Sequence, residues 1–261
     1  MASPGLKFPS DEPIMNARTA AQVKKISSAT HSLEALEVEI VNCQACARLT
    51  KWCAQVAVEK KRAYMEEEYW GKPVPGFGST SPHIVLLGLA PGAHGANRTG
   101  RVFTGDRSGD FLFASMQRVG LANQMTSNHR GDGLELIETR ILTAVRCAPP
   151  GNKPTPVEQR NCEPWAAREL ALVADSARVY VAFGSFAWSA LWTILAEPWG
   201  LGRRPPFRHG GRFDHPRGTL LASYHPSQQN TFTGTLTEGM LDEVLGLART
   251  LAKSEKGRSS R

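Results

Sequence analysis

Long apolar runs are missing from this chain of 261 residues. It has no stretch of about 18 uninterrupted apolar residues, the length that predicts a membrane-spanning helix. The first residues also lack the basic-then-apolar pattern of a secretory signal. Because 41% of the residues are hydrophobic, wholesale disorder is excluded as well. We therefore expect a soluble, cytoplasmic protein.

The signature of a phosphate-binding nucleotide hydrolase is incomplete. The glycine-rich turn GLAPG, at residues 88–92, is of a type that holds phosphates between a strand and a helix. However, the chain has no GxxxxGK[ST] motif and no acidic pair placed for magnesium. A nucleotide hydrolase therefore stays a competing interpretation with little support.

Cysteine is scarce, and the five cysteines form an odd set. An odd number in a cytoplasmic chain argues against a disulfide framework and favours a metal site. Cys43 and Cys46 form a C-x2-C pair, whereas Cys147 and Cys162 are separated by a proline-rich loop. Zinc ribbons use two close pairs, so this spacing favours a [4Fe-4S] cluster. The alternative is that Cys147 and Cys162 are ordinary buried cysteines, and this is how we interpret Cys53.

Strand-like and helix-like segments alternate through most of the chain. Four apolar runs predict buried strands: His83–Leu89, Arg140–Arg146, Arg178–Phe183 and Gly218–Ser223. Four stretches with helical spacing lie between or after them: Ser108–Val119, Thr155–Ala174, Ser185–Leu195 and Leu236–Leu251. This α/β alternation predicts a parallel sheet with helices on both faces. We expect one domain over residues 31–253, with flexible tails at 1–30 and 254–261.

Two loops follow predicted strands and carry short side chains together with residues suited to catalysis. They are Gly88–Phe113 and Ser223–Thr237. In α/β proteins, active sites form at the carboxyl ends of strands. The chain is therefore predicted to be an enzyme.

The segments GLAPGAHGANRTGRVFTGD, RCAPPGNKPTP and YHPSQQNTFTG, with the four spaced cysteines, resemble the family 5 uracil-DNA glycosylases. The motifs span residues 43–237 in the family's order, which makes the combination specific. The resemblance implies a three-layer α/β/α sandwich around a four-stranded parallel sheet. It also implies an iron–sulfur cluster, with base-excision repair of DNA as the activity.

Such an enzyme flips its target base out of the DNA stack and holds it in a pocket. We expect the backbone at Leu89 and Ala90 to bind the base edge and Phe103 to stack on its face. His225 is assigned to the leaving group, because a donor aimed at the base carbonyl stabilises the negative charge that develops there. The alternatives are a core aromatic at Phe103 and a structural histidine at residue 225.

Two departures from related glycosylases affect the other site residues. The loop after the first strand has no carboxylate before Asp106, which is our candidate to position the attacking water; its alternative role is to cap the next helix. The strand ILTAVRC has no asparagine to read the base, so either Asn152 reaches the pocket or it is a turn residue. Without an amide clamp, we expect a permissive pocket that accepts uracil, hypoxanthine and other deaminated bases.

The formal charge of +7 favours a polyanionic partner, here double- or single-stranded DNA. The residues expected to contact it are Ser227, Gln228, Gln229 and Asn230. Five arginines in the loop Pro198–Gly218 form either a phosphate-binding surface or a solvated basic loop. We expect a monomer. The non-enzymatic alternative is an iron–sulfur protein that binds nucleic acid and uses His225 structurally.

Overall fold

One mixed sheet forms the centre of the computed structural model, which describes residues 14–256. The sheet has six strands in the order β1-β3-β2-β4-β6-β5. Their bounds are β1 Phe77–Gly78, β2 Ile84–Gly88, β3 Thr139–Thr143, β4 Val179–Phe183, β5 Arg212–His215 and β6 Gly218–Ser223. The four central strands are parallel, whereas β1 and β5 pair antiparallel at the two edges.

Nine α-helices surround the sheet within the described part of the chain. They are α1 Ala20–Ala29, α2 Leu33–Val41, α3 Ala47–Glu59, α4 Ala96–Thr99, α5 Arg107–Arg118, α6 Pro156–Leu172, α7 Gly184–Trp199, α8 Gln228–Phe232 and α9 Glu238–Lys256. Local sequence explains several of the starts. Thr155, for example, forms a capping box with Glu158 at the beginning of α6. Within residues 14–256, no helix is both long and apolar enough to cross a membrane.

The predicted α/β fold with four central parallel strands is confirmed. The two edge strands were not predicted, because β1 has only two residues and β5 alternates between exposed and half-exposed positions. Neither strand presents the continuous apolar run of a strand that is buried on both faces.

The prediction of a flexible tail over residues 1–30 is wrong for its second half, where α1 forms. Thr19 caps α1, and the side chains of Val23 and Ile26 are buried beneath it. Two apolar residues one turn apart are too short a pattern to reveal a helix that depends on tertiary packing. At the other end, α9 continues to Lys256, so the predicted tail at 254–261 is wrong for its first three residues. Residues 1–13 and 257–261 lie outside the described residues.

Each face of the sheet has its own apolar core. On one face, alternate strand residues such as Leu86 and Val181 pack with α5 and α9. On the other face, residues such as Leu87 and Tyr180 pack with α6 and α7. A third, smaller cluster lies under α1, α2 and α3, and all five cysteines belong to it as buried or half-buried members.

A buried charge network joins the sheet to α6. The Glu169 carboxylate is fully buried and accepts from Arg140 Nε at 2.6 Å and from Arg146 Nη2 at 2.5 Å. Arg140 also donates to Glu37 Oε1 at 2.7 Å. Since buried charges are tolerated only when they are paired, this network holds α2 and α6 in place relative to β3.

We expect Glu169→Gln to destabilise the protein, because two buried guanidinium groups would lose their shared counter-charge. The expected loss in the free energy of unfolding is about 3 kcal/mol, measured by urea denaturation. Glu66→Gln, at an exposed position, is the matched control and should change it by less than about 0.5 kcal/mol. Equal free energies of unfolding in the two variants would contradict the proposed contribution of the network to stability.

Candidate functional site

Phe103 lies at the carboxyl edge of the sheet and is held in an unusual backbone conformation. Its φ is +49°, which non-glycine residues rarely adopt. A Cβ built at Gly88, the last residue of β2, would lie 3.0 Å from the Phe103 ring. The ring centroid is 5.9 Å from that of Phe183 and 5.7 Å from that of His225. Phe103 is 8% exposed, so it belongs to the core and also borders the predicted site.

A second buried ion pair holds the loop that carries Phe103. Arg101 donates through two nitrogens to the Asp132 carboxylate, at 2.9 and 2.7 Å, and through Nε to Thr104 Oγ1 at 2.9 Å. Burial alone would raise the pKa of Asp132, but hydrogen bonds from Arg101 and from backbone amides lower it to about 2. No sequence pattern indicated this pair, because its members lie far apart along the chain.

Asp106 joins α5 to the glycine-rich loop after β2. Its Oδ1 accepts from the Gly109 amide at 3.0 Å, which confirms the capping role that the sequence left open. Its Oδ2 faces the loop: a Cβ at Gly95 would lie 1.8 Å from this oxygen, and one at Gly92 would lie 2.9 Å away. Burial raises the pKa of the carboxyl, although the amides of the cap oppose the shift. Only a loop without side chains at these two positions accommodates the carboxylate.

His225 lies just beyond β6, after Tyr224, and its ring faces Phe103. Its carbonyl accepts from Asn230 Nδ2 at 2.9 Å, which fixes the turn after the strand. A Cβ at Gly184, where β4 passes into α7, would lie 3.5 Å from the His225 Cβ. Burial lowers the pKa of His225 to about 4. The imidazole is therefore neutral near pH 7 and has one N–H to donate.

The backbone of Leu89 and Ala90 begins the same glycine-rich loop. Both residues are half-buried, and the Leu89 carbonyl accepts from the Val145 amide at 3.0 Å. This bond extends the pairing of β2 and β3 beyond the last strand residue. The structure thus brings Leu89, Ala90 and the three side chains described above to one edge of the sheet.

Asn152 has no hydrogen bond with this group among the described residues. It is exposed, ends a short 3-10 turn, and has a left-handed backbone with φ +57°. Its amide donates to the Pro149 carbonyl at 3.1 Å, whereas no hydrogen bond joins its side chain to the described residues of the site. The geometry favours the turn role among the two that the sequence left open.

The four residues predicted to contact DNA form the start of α8 and differ in their surroundings. Ser227 caps the helix by accepting from the Asn230 amide at 3.4 Å. The Asn230 side chain also donates to the His225 carbonyl, so it stabilises the turn that carries His225. Gln228 and Gln229 are exposed. Of the four residues, these two therefore have the most accessible side chains.

An exposed aromatic side chain near the site was not singled out from the sequence. Phe232, the last residue of α8, is 64% exposed, and the Arg107 guanidinium lies 4.9 Å from its ring centroid. Arg107 immediately follows Asp106. Sequence patterns do not distinguish an exposed aromatic from a buried one, so only the structure reveals this pair.

The five arginines of the loop Pro198–Gly218 are all exposed, but they do not form one surface. Arg203 and Arg204 line an open cleft together with Ser185, the residue after Gly184. Because Gly184 lies beside His225, this cleft opens next to the predicted site.

Two other arginines of this loop direct their side chains toward the opposite edge of the sheet. The backbone of Arg212 pairs with Leu221, but the carboxylate that its guanidinium binds also accepts from Thr219 near the start of β6. Arg212 pairs with Asp214 on β5, and Arg217 donates to the Pro198 carbonyl just before β6 begins. The strand β6 runs from this end to the end that carries His225. The loop is therefore divided between the site and the far side of the sheet.

Four cysteines line one small cavity between α2, α3, α6 and the loop after β3. The residues around it are Cys43, Cys46, Cys147 and Cys162, with Ala45, Leu49, Thr50, Pro73, Arg146, Asn161 and Trp165. The Arg146 amide donates to Cys162 Sγ at 3.2 Å, and Asn161 Nδ2 lies 3.9 Å from Cys46 Sγ. The packing of α1–α3 against α6 thus brings two distant cysteine pairs together.

The electrostatics of this cavity disfavour bare thiolates. Burial raises the pKa of Cys43 and Cys46, and it raises that of Cys162 to about 12. The pKa of Cys147 is raised by its hydrogen bond with Cys53 and by burial. Among the described residues, no group of three or more His, Cys, Asp or Glu side chains is placed to hold a single metal ion.

Cys53 is fully buried in α3, as expected for an ordinary core cysteine. Its Sγ lies 3.5 Å from the Ala148 carbonyl oxygen, and its thiol is hydrogen-bonded with Cys147. It therefore borders the cavity without lining it.

Comparison with known proteins identifies the family. The family model described as "Uracil DNA glycosylase superfamily" matches residues 75–247. A protein of Thermus thermophilus named Type-5 uracil-DNA glycosylase is 50% identical over 221 residues, which cover 84% of this chain and 98% of that protein. The protein of the same name from Mycobacterium leprae is 49% identical over 230 residues, covering 87% and 99%. The resemblance seen in the motifs is confirmed, and the chain belongs to the type-5 uracil-DNA glycosylases of the uracil DNA glycosylase superfamily.

Proposed function

We propose that this protein removes uracil from DNA by hydrolysing the N-glycosidic bond, and that it leaves an abasic site for base-excision repair. The names of its relatives support this activity. The observation that carries the proposal is the meeting of Phe103, His225 and the Asp106 loop at one sheet edge. That arrangement supplies a face for a base, a donor for the leaving group and a carboxylate.

Base binding uses the Phe103 ring and the backbone that follows β2. A flipped base needs a flat apolar surface and donors or acceptors along its edge. Phe103 offers the surface, and the peptide groups at Leu89 and Ala90 lie beside it on the adjacent loop. Gly88 has no side chain to separate the two.

His225 donates to the base carbonyl as the glycosidic bond breaks. The pKa of about 4 makes the imidazole neutral, so it donates a hydrogen bond rather than a proton. Negative charge grows on the departing base in the transition state, and a fixed donor stabilises it by about 3 kcal/mol. Asn230 positions the histidine through its carbonyl, which adds to the rigidity of the donor.

Asp106 positions the attacking water with Oδ2 while Oδ1 caps α5. One carboxylate carries both roles because its two oxygens face different elements. The cap locks the orientation of the group, and the glycine loop keeps side chains away from Oδ2. The raised pKa of the buried carboxyl suits a group that accepts a proton from water.

The pocket accepts hypoxanthine and other deaminated bases as well as uracil. The end of β3 offers Thr143 and Ala144, which lack the two-faced amide that would reject an unfitting base edge. Asn152 supplies no clamp while it stays in its exposed turn. This range of substrate bases goes beyond uracil, which is the base that the names of the relatives state.

DNA lies across this edge of the sheet, in double- or single-stranded form, on a monomeric enzyme. Arg203 and Arg204 contact its phosphates, and Gln228 and Gln229 contact the backbone or minor groove. Phe232 is placed to enter the gap left by the flipped base, since apolar side chains commonly fill such gaps.

A [4Fe-4S] cluster is held by Cys43, Cys46, Cys147 and Cys162. Four cysteines around one cavity, with N–H groups of Arg146 and Asn161 near two of the sulfurs, suit an iron–sulfur cluster. Bound iron would lower the pKa values that burial raises. The cluster's contribution is structural: it ties α2 and α3 to α6 and to the loop after β3.

The activity is tested by base release from duplex DNA that carries a single uracil or a single hypoxanthine. We expect the intact protein to release both bases and His225→Ala to be slower by about a hundredfold or more. Release of uracil alone would contradict the permissive pocket. If neither base is released although DNA is bound, the protein is instead a non-catalytic iron–sulfur DNA-binding protein.

Asp106→Asn separates the two roles of Asp106. Asparagine caps helices as well as aspartate does, so the free energy of unfolding should change by less than about 0.5 kcal/mol. Uracil release should nevertheless slow by about a hundredfold, because the amide cannot accept a proton from water. Asp110→Asn, in the exposed first turn of α5, is the control and should keep the full rate. A normal rate in Asp106→Asn would leave the residue with the capping role alone.

The two groups of loop arginines should differ in DNA binding. The double variant Arg203→Gln/Arg204→Gln should reduce the slope of log binding constant against log salt by about 2, one unit for each lost phosphate contact. In the matched pair Arg212→Gln/Arg217→Gln, both guanidinium groups are already engaged within the chain, by Asp214 and by the Pro198 carbonyl, so the slope should stay unchanged. Identical slopes in both double variants would show that the loop is only a solvated basic segment.

A further inference from the structure

Arg146 has two buried nitrogens without a partner among the described residues. Its side chain is 1% exposed, and only Nη2 is paired, with Glu169. No described residue accepts a hydrogen bond from Nε or Nη1. Buried guanidinium N–H groups are costly when they are left unsatisfied, because they have given up water without a replacement. Arg146 lines the cysteine cavity, so a group bound there is a candidate acceptor for these nitrogens.

Trp165 shows the same pattern on the same cavity. It is fully buried in α6, and its Nε1 has no partner within hydrogen-bond geometry in the described part of the chain. Trp165 lines the cavity together with Cys43. Two residues with unsatisfied buried donors, from two different elements, thus line one cavity together with four cysteines.

Charge balance does not explain these donors. Arg140 and Arg146 face Glu169 and Glu37, so two positive and two negative groups already compensate one another. What the donors need is hydrogen-bond acceptors rather than negative charge. Thiolate and sulfide sulfurs of an iron–sulfur cluster are acceptors, and hydrogen bonds to them are among the features that set cluster potential.

We propose that Arg146, through Nε and Nη1, and Trp165, through Nε1, donate hydrogen bonds to the sulfurs of the cluster. The inference rests on the proposed cluster and goes beyond its four ligands. Arg146 is a positioning residue: its Nη2 is fixed by Glu169, which holds the rest of the guanidinium in one place. The donors hold the cluster in place and raise its reduction potential by withdrawing electron density from sulfur.

The test uses the full-length protein purified without oxygen, with three variants. Arg146→Lys keeps the charge and loses the forked donor, whereas Trp165→Phe loses only the indole N–H and part of the ring. Arg140→Lys is the matched control, because Arg140 shares Glu169 but does not line the cavity. Iron and acid-labile sulfide content, the rate of iron loss to a chelator and the midpoint potential are measured for each.

We expect Arg146→Lys and Trp165→Phe to lose iron about tenfold faster than the parent protein, because each loses a charge-assisted or buried hydrogen bond. Their midpoint potentials should be more negative. Arg140→Lys should keep the parent's rate and potential even where its melting temperature falls. The two test variants act on different elements, so a folding defect in one leaves the other informative.

Parent-like iron loss and potential in both test variants would overturn the inference while leaving the cluster in place. Equal acceleration in Arg140→Lys would overturn it too, because general weakening of the network would then explain the effect. A parent protein that contains neither iron nor sulfide would overturn the cluster itself and the inference with it. Uracil release, measured separately, distinguishes this last outcome from failure of the proposed glycosylase activity.

Discussion

The Glu169 carboxylate has two guanidinium partners and no contact with solvent, and much of the architecture depends on that arrangement. Arg140 approaches it from β3, and Arg146 approaches it from the loop that continues toward Cys147. Because α6 carries the carboxylate, the sheet and this helix are fixed at one distance. Gly76 completes the arrangement, since a Cβ there would lie 1.8 Å from Glu169 Oε1. The cysteine cavity is built against this fixed pair of elements.

At the carboxyl edge of the sheet, the absence of side chains matters as much as their presence. Gly88 leaves room for the Phe103 ring, and Gly95 leaves room for the Asp106 carboxylate. A Cβ at Gly109 would lie 1.9 Å from the Phe103 carbonyl oxygen, so the strained backbone of Phe103 also requires a glycine in α5. The groups of the proposed site are held by close backbone packing, which suits the proposed binding of a flat base in one fixed place.

The central sheet and its strand-end loops could be predicted from the sequence because their signals are local. The run His83–Leu89 is apolar and is followed by glycines, so both the strand and the site loop are visible in it. Helix α1 and the pair of Arg101 with Asp132 depend on partners far along the chain and have no local pattern. The same limit applies to the loop arginines, since composition cannot show that they are divided between opposite edges. The roles of Asp106 and Asn152 needed the structure for a different reason: a cap or a turn is defined by backbone geometry.

The placement of the cysteines has a consequence for the order in which the protein folds during synthesis. Cys43 and Cys46 leave the ribosome roughly a hundred residues before Cys147 and Cys162. The apolar sides of α1, α2 and α3 pack in the cluster that contains Trp165, so they have no surface to cover until α6 has been made. The apolar sides of the N-terminal helices therefore remain uncovered while the first three sheet strands are translated. This long loop can close only after α6 has been made, and any group that binds all four thiols can be acquired only then.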